Sequence, residues 1–219
     1  KKNIFKMNIE SFDSDEYKSW LSSIGEWDIF ISCIGTLKPV GEFTQINLNS
    51  WVKSVAENST FQIAAVVNAL KYRNQKKTPT VIFFAGGGTN SANDYYSAYT
   101  LGKISLIKAV ELLDHEVKDT KFTILGPGWV KTKIHNQTLE AKEKAGKNFN
   151  KTLEILNSPE KFNPTDKVIE DVFKIIELPK KLVGGRNFSS VHDQIDFQKL
   201  EALYSIDKDF YKLRRNLNN

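Results

Sequence analysis

The chain has 219 residues, 40% of them hydrophobic, enough to bury the core of one domain. Its single cysteine, Cys33, excludes an internal disulfide and fits a reducing, cytoplasmic setting. No apolar run reaches the roughly 20 residues that cross a bilayer, the amino-terminal KKNIFKMNIESFD lacks the apolar stretch of a signal peptide, and the net charge of +5 is spread through runs such as LEAKEKAGKNFNK, which read as solvated helix faces rather than a nucleic-acid surface.

Residues 2–8 are expected as a short strand, and residues 14–24 have helical spacing. The apolar run 28–33 is a strand, ended by Gly35. A long amphipathic helix follows over 51–72, then a buried strand over 80–85 stopped by Gly86, Gly87 and Gly88. A second long helix covers 96–117, and a third apolar strand, 121–125, halts at Gly126-Pro127-Gly128. Beyond it come a Lys/Glu-rich helix near 136–156 and another over 164–178 with proline at its start. A last strand over 182–191 and a largely helical tail over 196–217 complete the pattern. Short strands alternating with helices predict an α/β fold, a doubly wound parallel sheet in three layers. Residues 1–219 form one domain, in which 133–219 holds the substrate-binding segment and the tail. In such a sheet a ligand lies at the carboxyl ends of the strands, where three of the expected strands carry glycine.

Tyr-x-x-x-Lys occurs three times, at Tyr72–Lys76, Tyr99–Lys103 and Tyr204–Lys208. The first runs into a Pro-marked turn and the third lies in the polar tail. Only Tyr99 opens the helix behind a glycine-stopped strand. Four residues apart on a helix is one face, and a nearby ammonium lowers the pKa of a phenol that is otherwise a poor base at neutral pH.

With its neighbours, this stretch resembles the short-chain dehydrogenase/reductase family. DIFISCIG resembles the family's strand ending in Asn-Asn-Ala-Gly, with Cys33, Ile34 and Gly35 at the cofactor. VAENSTF resembles the segment carrying the family's structural-catalytic Asn, here Asn58. YSAYTLGK matches the active-site helix, and GPGWVKTK matches the Pro-Gly-x-Val-x-Thr segment through Pro127, Gly128, Val130 and Thr132. The resemblance implies NAD or NADP as cofactor and a Rossmann-like fold. Tyr99 would exchange a proton with the substrate oxygen. Lys103 would lower the Tyr99 pKa and bind the nicotinamide ribose, Asn58 would hold a relay water, and Asn8 and Ile9 would lie near the adenine.

Two departures stand out. The family's catalytic serine lies thirteen residues before the tyrosine, and here that position is Gly86; Thr89 or Ser91 is expected to supply the hydroxyl. The glycine-rich turn of a dinucleotide fold does not precede Asp28, so the first two strands of the family's sheet are missing from the sequence, and an upstream extension is expected. The carboxyl-terminal GGRNFSSVHDQIDF is similar to family members from bacterial surface-polysaccharide pathways, which implies a sugar or nucleotide-sugar substrate. A homodimer or homotetramer built on the two long helices is implied in the same way, and the three scattered histidines give no metal site. The rival expectation, favoured by Gly86, is a catalytically silent dinucleotide-binding relative acting as a sensor or assembly partner.

Overall fold

Short runs rich in Ile, Val and Phe form the centre of the molecule, as their length and composition require. The computed structural model describes residues 4–215. In it the strands are β1 (Ile29–Ser32), β2 (Thr80–Phe84), β3 (Lys121–Gly126) and a three-residue β4 (Asn187–Ser189). They pair in parallel in the order β1-β2-β3-β4. Parallel neighbours need crossovers that run over the sheet faces. After α1 (Asp15–Ile24), which precedes β1, the crossovers are supplied by α2 (Leu48–Asn58), α3 (Thr60–Ala69), α4 (Ser97–Glu116), α5 (Ile134–Ala141), α6 (Lys147–Leu156), α7 (Thr165–Glu177) and α8 (Lys180–Val183), and α9 (Phe197–Ile206) follows β4.

The side-chain alternation of β2 sorts these helices into two layers. Val81 and Phe83 pack with Val66 of α3 and Leu106, Ile107 and Val110 of α4. Ile82 turns the other way, toward Val172 and Ile175 of α7, Leu182 of α8 and Leu200 of α9. A strand covered on both faces has no solvated position, which is why it reads as a continuous apolar run. The expected doubly wound α/β fold is therefore present. Among the described residues no helix is long and apolar enough to cross a membrane.

Several elements differ from the expected pattern. Residues 4–8 are not a strand, and Lys2 and Asn3 lie outside the described residues. Phe5, Met7, Ile9 and Phe12 instead pack against Tyr17 and Leu21 of α1 and Ala65 and Ala69 of α3. The outer edge of β1 is consequently bare among the described residues, with Ile29 and Ile31 43% and 44% exposed. The helix expected over 51–72 divides at Ser59 (φ −143°, ψ −85°). The Ser59 hydroxyl donates to the Val55 carbonyl at 2.6 Å, the acceptor its own amide would use in a continuous helix. The helix expected over 136–156 divides at Gly146, whose φ of +53° and close approach to the Tyr95 ring exclude a side chain. Of the strand expected over 182–191 only β4 is extended, because α8 occupies its start. The tail helix ends at Ile206, and Asn216 and Leu217 lie outside the described residues.

Candidate active site

Helix α4 starts behind the loop that follows β2 and lies against the carboxyl ends of β1 and β2. Lys103 is 3% exposed there, and its Nζ donates to Ile34 O at 2.9 Å and Phe84 O at 2.8 Å, the carbonyls where β1 and β2 run out. The ammonium thus bridges the two strand ends. Burial pushes its pKa down to about 8.

One turn earlier, Tyr99 lies directly over Gly86. A Cβ at residue 86 would sit 2.6 Å from Tyr99 Cζ, so the phenol fills the volume a serine side chain would need. Burial pushes the Tyr99 phenol up to about 12. Here the structure corrects the expectation that Lys103 lowers it: among the protein's own groups desolvation governs the phenol, and the Lys103 protons point at backbone carbonyls. Two of its three N–H donors are used in this way.

Asn58, at the end of α2, is fully buried. Its Nδ2 donates to Thr36 O and Ser54 O, both at 2.9 Å, and its Oδ1 accepts from Thr36 N at 3.1 Å. The amide therefore clamps the turn that follows β1, next to Gly35. A Cβ on Gly35 would lie 3.6 Å from both Asn58 Oδ1 and Lys103 Nζ. Tyr99, Lys103, Asn58, Ile34 and Gly35 accordingly form one constellation. Cys33 is exposed beside it.

At the end of β3, Pro127 O accepts from Asn163 Nδ2 at 2.8 Å, and Gly128 takes a φ of +73° against Val191. Val130 packs on the α7 and α9 core. Thr132 is exposed, two residues before α5 begins. Thr89 is half-buried and Ser91 exposed in the loop after β2. Neither is hydrogen-bonded to Tyr99; that loop closes instead on Asn93 and Thr100, which crowd Gly87 and Gly88. Asn8 and Ile9 do not join the constellation: Asn8 Oδ1 caps the turn Ile9–Ser11, and Ile9 packs with α1 and α3.

Sequence reasoning missed three contributors. Gly102 lies inside α4, where glycine costs about 1 kcal/mol relative to alanine. A Cβ there would come within 2.6 Å of Asn58 Cβ and 3.0 Å of Val55 O, so glycine is what lets α4 close on α2. Its signal was legible, a glycine in an otherwise strong helical pattern. Gln137 of α5 accepts from Leu37 N at 2.7 Å and from Thr36 Oγ1 at 3.3 Å, and Tyr96 bonds Thr138 at 2.7 Å. These two contacts seat α5 over the site; they join positions about a hundred and about forty residues apart, which no local pattern reveals. Under α5 and α6 the cover is apolar, with Leu37, Val40 and Ala145 packed against Tyr95, Tyr96, Tyr99, Ile134 and Phe149.

No family model and no curated protein matches the sequence. Solved structures do match the fold. A short-chain dehydrogenase/reductase from Saccharomyces cerevisiae superposes with a TM-score of 0.72 at 19% identity, over 86% of this chain and 76% of that one. The aldohexose dehydrogenase of Thermoplasma acidophilum gives 0.70 at 12% identity, over 88% and 80%. A variant of ElxO with NADPH bound gives 0.66 at 17% identity, over 86% and 76%. Strand order, helix layers and these superpositions agree that the chain has the fold of the short-chain dehydrogenase/reductases.

Proposed function

We propose that the protein is an oxidoreductase that interconverts a hydroxyl and a carbonyl on a small molecule with NAD or NADP as cofactor. The observation that carries this is the placement of Tyr99 one helical turn from the buried Lys103, at the carboxyl ends of two parallel strands. The residues fit such a cofactor: Lys103 keeps one N–H beyond its two carbonyls, enough to meet a ribose hydroxyl, and the Gly128 turn lies at the end of β3. Bound there, a nicotinamide would accept or supply the hydride. Tyr99, protonated at neutral pH because burial holds its phenol near 12, is the proton donor to a carbonyl oxygen. Asn58 and Lys103 hold the strand ends in register for it.

The sugar or nucleotide-sugar substrate rests on the carboxyl-terminal resemblance. The Tyr99 surroundings support a different emphasis. Leu37, Val40 and Phe149 are apolar neighbours, suited to a carbonyl with an apolar substituent more than to a polyhydroxylated ring. The second reading, a silent dinucleotide-binding relative, is favoured by Gly86, which supplies no hydroxyl to polarise a carbonyl.

Tyr99→Phe separates the two. In an enzyme it should lower carbonyl reduction, followed by loss of reduced nicotinamide absorbance, by about a hundredfold or more, with cofactor affinity retained. Wild-type protein that binds the dinucleotide yet reduces no ketone, aldehyde or sugar in a broad panel would instead support the silent reading.

A further inference from the structure

The turn 126–129 at the end of β3 is held by a chain of polar groups that the proposed chemistry does not use. Gly126 O accepts from Ser190 N at 2.9 Å and Trp129 O from Asn163 N at 2.7 Å. Pro127 O accepts from Asn163 Nδ2 at 2.8 Å. Ser190 Oγ lies 3.1 Å from that same Nδ2 and 2.6 Å from Asp171 Oδ2. Asp171, on α7, is wholly buried and Ser190 nearly so. Lys167 Nζ approaches Asp171 Oδ1 at 2.6 Å and Lys174 Nζ at 3.9 Å.

Donor and acceptor rules give this chain one direction. An ionised carboxylate has no proton to give, so the Ser190 hydroxyl donates to Asp171. Its lone pairs then face Asn163, which must present its NH2 group rather than its carbonyl. The second N–H of that group reaches Pro127 O. One buried charge therefore sets the orientation of a hydroxyl, an amide and a turn in series. A carboxylate buried merely to pair with Lys167 would still use the Ser190 hydroxyl to satisfy its second oxygen, but it would not need Asn163 to carry that bond on to the turn.

We propose that Asp171 is a positioning residue for the 127–130 turn, acting through Ser190 and Asn163. The proposal rests on the reading that this turn receives the nicotinamide end of a cofactor, but the chain of bonds is measurable without one.

The test is NMR and amide exchange on the full chain. Asp171→Asn should shift the Asn163 side-chain NH2 resonances, although the two residues share no hydrogen bond. It should also speed exchange of the Asn163 and Ser190 amides, which donate to Trp129 O and Gly126 O, about tenfold, the effect of losing one net hydrogen bond. Exchange in the β3 segment 122–125 should stay as it was. Ser190→Thr, which keeps the hydroxyl, should preserve the Asn163 signals, whereas Ser190→Val, of nearly the same shape, should not. If Ser190→Val and Asp171→Asn both leave the Asn163 side-chain signals and the Asn163 amide exchange unmoved, Asp171 is structural only and the proposal fails. If the turn loosens as expected while wild-type protein binds no nicotinamide dinucleotide, the positioning role stands and the oxidoreductase reading falls.

Discussion

Gly86 shows what one residue can decide and how far it could be read in advance. Its identity as the departure from the family's serine was legible by counting back from Tyr99. What counting could not show is that Tyr99 occupies the vacated volume, with Cζ 2.6 Å from where a Cβ would stand. Gly86→Ser should therefore fail to install a working hydroxyl. It should cost about 1–3 kcal/mol by overpacking and lower turnover by pushing Tyr99 aside, which urea melts and a reductase assay would reveal together. Lys103 has a pH signature of opposite origin to an ion pair. Burial holds its folded pKa near 8, against 10.5 for the free side chain, so between those values the unfolded chain binds more protons and stability rises with pH. Below pH 8 the desolvation cost is present in full. Urea denaturation at pH 8 and pH 10 should show wild type gaining on the order of 2 kcal/mol more than Lys103→Met over that interval. Equal gains in both proteins would mean that Lys103 is not deprotonated in the native state.

At the scale of elements, what was legible is the set of apolar strands and the helix that carries Tyr99, because burial on both faces and strong periodicity leave local traces. What was not legible are the breaks. The division at Ser59 depends on a hydroxyl taking the Val55 carbonyl, and that at Gly146 depends on Tyr95, some fifty residues away in sequence. Arg186 is the plainest case, since its surroundings in the sequence suggest a solvated side chain or an anion site. In the fold it is 2% exposed and donates to the carbonyls of Leu182, Phe210, Lys181 and Lys208. Its guanidinium also lies 3.9 Å from the Phe210 ring centroid. The flat fork thus ties α8 to the segment after α9, and burial lowers its pKa. Lysine keeps the charge but cannot present donors in that plane. Arg186→Lys should destabilise the protein by about 2–4 kcal/mol, seen as a lower denaturation midpoint with an unchanged slope. A loss under about 0.5 kcal/mol, the usual size of a surface substitution, would show that the fork is replaceable.

At the scale of the whole molecule, strand alternation alone was enough to place the site at one sheet edge, because parallel strands must end on the same side. Self-association was expected only through the resemblance, on the helices of 51–72 and 96–117, and the fold leaves apolar side chains exposed on α2 and α4 of those segments. The two helices pack on each other, yet Val52 on α2 and Leu112 on α4 remain 56% and 51% exposed. Leu48 and Leu101 are exposed on the same two helices, and positions 101 and 112 lie three turns apart on one face of α4. Single exposed leucines are ordinary; several on adjacent helices are the pattern that an interaction surface would present. A two-fold pairing would set the same patch of one protomer against its partner. It would also stiffen the α2–α4 contact, and with it Asn58 and Tyr99, since Gly102 packs α4 directly on Asn58. Val52→Glu combined with Leu112→Glu buries four like charges per dimer in such an interface. Light scattering at micromolar concentration should give a dimer or tetramer for wild type and a monomer for the double variant, with the thermal midpoint of the variant falling as protein is diluted no more than that of any monomer. A wild-type monomer at that concentration would end the self-association reading and leave these helices solvent-facing.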